Sequence, residues 1–119
     1  MEAQDRKKIE GIHRDREEAH RRLLATGSRS YRAFLELEKA AYSDGALARK
    51  QKELIAVGIS LIMDCESCLE WHIGKALEAG ATEEQILEAI DVGIEMGGGP
   101  ATVSSRFALK ALEYHTGKR

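Results

Sequence analysis

Proline is almost absent from this chain: Pro100 stands alone among 119 residues. Few rigid breaks interrupt the backbone, so long helices are free to form. Runs of alternating apolar and polar residues are missing too, which removes the signature of half-buried strands. Aromatic residues make up only 5% of the chain, so Leu, Ile, Val and Ala must fill most of the core. The longest apolar region, Leu54 to Met63, is far too short to span a bilayer. The opening Met1-Glu2-Ala3-Gln4-Asp5 is charged and has no apolar stretch, so no secretory segment is expected. A net charge of −2 excludes the electrostatic footprint of a nucleic-acid binder. These absences point to a cytoplasmic, all-α protein with neither nucleic acid nor membrane as partner.

What charge there is lies unevenly. Residues 1–53 carry 13 Lys and Arg against 10 Asp and Glu, and the remainder carries 5 against 10. The basic half is not a polybasic patch, because acids and bases alternate. Glu10 and Arg14, Glu17 and Arg21, and Glu18 and Arg22 stand four apart with the acid first, the order that supports a solvated helix. The length suits a single domain over residues 1–119, a bundle of about six helices.

Turn and cap residues divide the chain. A very polar first helix over roughly 3–26, within a polar N-terminal segment 1–27, has apolar positions limited to Ile9, Ile12, Ala19, Leu23 and Leu24, and lies outside the core or across a neighbouring subunit. Gly27 stops it, and Ser28 caps a second helix through about Ala41. After Ser43-Asp44-Gly45 a third helix runs from about Ala46 to Met63. Its second half is apolar nearly all round, the mark of a central, buried helix. Asp64 is the expected cap of a fourth helix, Cys65 to Ala79, and Gly80 ends it. Thr82 and Gln85 form a capping box for a fifth helix through Met96. Gly97-Gly98-Gly99 closes that helix, and Pro100 suits the first turn of a sixth, about Ala101 to Tyr114.

Only two cysteines are present, and both lie in one C-x-x-C. In a reducing compartment such a pair is more often catalytic or metal-binding than a structural staple. Cys65, Cys68 and His72 are spaced i, i+3 and i+7, within about 60° of one another around a helix. Cysteines so placed at a helix start can close a disulfide with little backbone movement, and the helix N-terminus favours a thiolate. His72, one turn on, is placed to accept a thiol proton. If the third and fourth helices form a hairpin turning near Asp64, Glu53 lies about 16 Å back along one arm and His72 about 12 Å along the other. Glu53 is therefore the candidate to orient His72, and a glutamate in so apolar a helix needs such a partner.

The combined pattern resembles the alkyl hydroperoxidase D-like branch of the carboxymuconolactone decarboxylase superfamily. It consists of Glu53, eleven residues, Cys65-x-x-Cys68, three residues and His72. The flanks agree: Lys52-Glu53-Leu54-Ile55-Ala56, Ala76-Leu77-Glu78-Ala79-Gly80-Ala81 and Met96-Gly97-Gly98-Gly99-Pro100-Ala101. The resemblance covers about residues 45–112. It implies a helical fold assembled as homo-oligomeric trimers or hexamers, and thiol-dependent peroxide reduction with no cofactor and an external dithiol, protein or small thiol, as reductant. It further implies Cys68 as the thiol that attacks a hydroperoxide or other small oxidant, Cys65 as the resolving thiol, His72 as base and Glu53 as orienting acid. The peroxidase pattern has a second histidine immediately before the second cysteine. Ser67 stands there in this chain, which implies a shorter proton relay.

Two other readings compete. One is a zinc-binding or scaffolding oligomer, with Cys65, Cys68, His72 and Glu53 as ligands, although three of these crowd one helix, unlike the spread ligand pairs of zinc fingers. The other is a small-molecule enzyme of the decarboxylase type on the same fold. The spacing favours the dithiol enzyme, with no metal ligands expected. His13, His20 and His115 read as surface or capping residues, Trp71 as a packing or subunit contact, and the glycine run as a tight helix connection.

Overall fold

Six helices account for most of residues 1–117, which the structure, a computed structural model, describes. They are α1 (Ala3–Ala25), α2 (Arg29–Ala41), α3 (Arg49–Ile62), α4 (Glu66–Glu78), α5 (Glu83–Gly97) and α6 (Gly99–Thr116). No strand occurs among the described residues.

Local chemistry sets most of these boundaries. The Ser28 hydroxyl accepts from the Tyr31 amide at the start of α2. Thr82 and Gln85 cap α5 reciprocally: Thr82 Oγ1 accepts from the Gln85 amide and Gln85 Oε1 from the Thr82 amide. Gly98, at φ +69°, joins α5 to α6, and Pro100 sits in the first turn of α6. The third helix starts at Arg49, later than Ala46, because Asp44 Oδ1 accepts from the Arg49 amide and Gln51 Oε1 from the Ala48 amide.

The turn between α3 and α4 departs from expectation in a useful way. Asp64 does not cap α4. It takes the left-handed conformation, φ +53°, that reverses the chain, and its carboxylate accepts from Ser104 Oγ of α6 at 2.7 Å. The cap is Cys65, whose Sγ accepts from the Cys68 amide at 3.2 Å. One of the two cysteines of the C-x-x-C is therefore also the cap of its helix.

The core forms where α3 packs on α4 and α5, and α6 closes over α4 and α5. Val57, Leu61, Leu69, Ile73 and Ile86 are fully buried there. The crossing of α3 and α5 is close: a Cβ on Gly93 would lie 2.8 Å from Leu61 Cδ2 and 3.2 Å from the Gly58 carbonyl oxygen. Two expectations about burial are corrected. The polar α1 is not wholly outside the core, because Ile9 is 1% exposed and joins the central cluster. Nor is α3 buried all round: Ile55, Ile59 and Ile62 are about half exposed, since α4, α5 and α6 cover only one side of the helix.

Candidate active site

The reversal at Asp64 sets α3 and α4 side by side, and Glu53 meets His72 across them. Glu53, 3% exposed, lies 2.7 Å through Oε1 from His72 Nδ1. A carboxylate only accepts, so Nδ1 carries the hydrogen and Nε2 is left as the basic nitrogen. Arg49 Nε lies 3.8 Å from the other oxygen, Oε2, and keeps the buried charge accompanied. Tyr42, just beyond the end of α2, lies with its ring 5.4 Å from the His72 ring. Burial first, then the Glu53 and Glu38 charges, hold its phenol above the ordinary 10.0, so it stays neutral at physiological pH.

Cys65 and Cys68 are joined as a disulfide, with Cα atoms 5.2 Å apart. Bonded to each other, they offer no thiolate to a metal. The structure thus brings together the four residues singled out from sequence: two half-buried cysteines on the first turn of α4, His72 one turn further and Glu53 behind it.

Beside this group lies a cleft of about 500 Å³ between α1, α2 and α4. Cys68 and His72 line it; Cys65 does not. Phe34 and Leu35 of α2 and Trp71 of α4 supply an apolar wall, and Arg16 and His20 of α1 a polar one. His20 Nδ1 lies 2.6 Å from the Tyr31 hydroxyl, tying α1 to α2. Arg16 reaches α4, where Nη2 donates to the Ser67 carbonyl at 2.9 Å and to Ser67 Oγ at 3.1 Å. Its guanidinium lies 5.0 Å from the Trp71 ring centre, with Lys75 at 4.4 Å. The position that carries histidine in the peroxidase pattern is therefore bonded here to an arginine from the first helix.

Arg16 also anchors a group that sequence reasoning missed. Its Nη1 donates to Glu70 Oε1 at 2.7 Å, while Glu70 Oε2 is met by His115 Nε2 at 2.6 Å and His13 Nε2 at 3.1 Å. Burial pushes the Glu70 carboxyl up. Hydrogen bonds from His115 and Arg16, with the Arg16 and His13 charges, outweigh it and hold the group below its ordinary 4.5. The expectation that His13, His20 and His115 are plain surface or capping residues is thus corrected: each has a named side-chain partner on another helix. One signal was available. Glu70 falls in the apolar stripe Leu69, Ile73, Ala76 of α4, where an ionised side chain requires partners.

Comparison with known proteins agrees with this architecture. The family model described as the carboxymuconolactone decarboxylase family matches residues 29–111, a span that takes in α2 as well as the cysteine motif. An uncharacterised protein encoded in the cox locus of Paracoccus denitrificans is 44% identical over 81 residues, 68% of this chain and 73% of that protein. An uncharacterised protein of Cupriavidus necator is 44% identical over 82 residues, 69% of this chain and 70% of its own. Among solved structures, a carboxymuconolactone decarboxylase family protein from Legionella pneumophila superposes with a TM-score of 0.87 at 31% identity, covering 92% of this chain and 97% of that one. A Thermotoga maritima protein of the same family, for which involvement in an antioxidative response is suggested, gives a TM-score of 0.72 at 32% identity over 81% of this chain and 85% of its own. Fold, motif and matched span lead to one conclusion: the chain belongs to the carboxymuconolactone decarboxylase family.

Proposed function

We propose that this protein is a thiol-dependent peroxidase that cycles Cys65 and Cys68 between dithiol and disulfide. The observation that carries the reading is the Glu53–His72 pair, at 2.7 Å, with His72 on the helix that begins at the two cysteines and Glu53 reaching it from α3. His72 Nε2, left basic by the bond at Nδ1, takes the Cys68 proton. The Cys68 thiolate attacks one oxygen of a hydroperoxide, the O–O bond breaks, and the departing alkoxide leaves as an alcohol with the proton from His72. Cys68 is then a sulfenic acid. The Cys65 thiolate displaces its hydroxide, which leaves as water, and the disulfide forms. An external dithiol reduces it and is itself oxidised.

The cleft favours Cys68 as the attacking sulfur, since it faces the cavity and Cys65 does not. Phe34, Leu35 and Trp71 suit a hydroperoxide with an organic group. A reducing, cytoplasmic setting belongs to the same reading, because the dithiol must be regenerated. Among the described residues no helix is long and apolar enough to cross a membrane. The test is consumption of cumene hydroperoxide with excess dithiothreitol. Many turnovers per chain are expected with the dithiol present and at most one without it. Equal slow loss with and without protein would overturn the proposal.

The same reading includes a homo-oligomer, a trimer or a multiple of one. Ile55, Ile59 and Ile62 of α3 and Val92 and Met96 of α5 are each half exposed or more and line an apolar groove of about 390 Å³. A further copy of this chain is the occupant that fits, because the groove lacks charged residues that would select a polar partner. Light scattering on a sizing column should give a multiple of the 13.2 kDa chain mass. A single species at that mass across micromolar concentrations would show that the groove is not an interface between copies.

A further inference from the structure

Three metal-ligating side chains from three helices converge on one point away from the cysteines. His13 of α1, Glu70 of α4 and His115 of α6 each bring one donor atom, and the three atoms lie within 4.8 Å of one another. The carboxylate is committed on one side only: Arg16 holds Oε1, while Oε2 faces both imidazole Nε2 atoms. We propose that His13, Glu70 and His115 form a binding site for a divalent first-row transition-metal ion, of which Zn²⁺ is the natural probe.

The donor set suits such an ion. Two imidazole nitrogens and one carboxylate oxygen are ligands of choice for Zn²⁺, with bonds of about 2.0–2.2 Å that place neighbouring tetrahedral ligands about 3.3 Å apart. The two imidazoles stand 2.6 and 3.1 Å from the shared oxygen, and His115 Nε2 also lies 3.1 Å from the Glu70 carbonyl oxygen, so an ion binds by moving the rings outward and taking the place of these hydrogen bonds. Arg16 on the far oxygen is the kind of outer partner that fixes a ligating carboxylate in place.

The backbone also accommodates this arrangement. A Cβ on Gly74 would lie 2.7 Å from His115 Cε1 and 3.0 Å from Nε2. The His115 ring can rest against α4 only because residue 74 has no side chain. Glu70 forms the floor of the site at 1% exposure, and His13, whose side chain is 37% exposed, is its open edge, through which an ion and its remaining water ligand enter. The sites differ in what they would accomplish. An ion here joins α1 to α4 and α6, and so fixes the helix whose Arg16 and His20 wall the Cys68 cleft.

The test is calorimetric titration of Zn²⁺ into the untagged full chain, with Cys65 and Cys68 held as the disulfide so that thiolates do not compete. One ion per chain is expected. His13→Ala, at the exposed edge where folding is least at risk, should weaken binding by about a hundredfold or more, and Glu70→Gln should do the same. His72→Ala should leave zinc binding unchanged. Absence of saturable uptake would overturn the proposal. So would binding that survives His13→Ala and Glu70→Gln, or binding that falls only with His72→Ala, which places the ion at the cysteine group.

Discussion

Replacing Cys68 by serine is expected to abolish hydroperoxide turnover, a loss of at least about three orders of magnitude, because an alcohol oxygen, unlike a thiolate sulfur, cannot take up the peroxide oxygen and so supplies no electrons to break the O–O bond. Cys65→Ser should behave differently. Its reduced form still consumes one equivalent of hydroperoxide, and Cys68 gains one oxygen as a sulfenic acid, but no disulfide forms and turnover stops. This variant is a clean comparison, since a serine at the helix cap replaces the Sγ that accepts from the Cys68 amide and caps at least as well. Mass spectrometry of the trapped intermediate reads both outcomes. If Cys65→Ser, and not Cys68→Ser, lost the first oxidation step, the two sulfurs would have exchanged roles.

The second large effect is on thiol reactivity. His72→Ala should slow alkylation of the reduced protein near neutral pH by about a hundredfold, the scale of a lost general base. Glu53→Gln should act in the same direction by about tenfold, because its amide oxygen still accepts from Nδ1 while the charge that supports the imidazolium is gone. The pH profile separates this from a structural effect. In alkaline solution the thiol ionises without help from a base, so variant and parent rates should converge there. A deficit that persists at high pH would mean that His72 serves the fold and not the thiol.

Much of this was legible in the chain itself, for reasons specific to each element. Ser28, the Thr82–Gln85 box and Pro100 are local signals, and they act within a turn of the residue that carries them. The meeting of Glu53 and His72 followed from helix rise alone, once a hairpin near Asp64 was assumed. What escaped depends on how helices cross. Asp64 looked like a cap, but its carboxylate is taken by Ser104, forty residues away. Ile9 is one apolar residue in a charged helix, and nothing local marks it as core. His13, Glu70 and His115 share no spacing, so only the assembled bundle reveals their convergence. The cleft wall likewise needs α2 folded against α1 and α4, and nothing local to Phe34 and Leu35 marks them as part of it.

The most direct measurement is the thiol count and mass of the fully reduced protein before and after one equivalent of cumene hydroperoxide. Loss of both free thiols, a decrease of two hydrogens in the intact mass, and no cross-linked dimer on a non-reducing gel are the predicted results. Cys65 and Cys68 remaining titratable, with the peroxide unconsumed, would contradict the dithiol cycle.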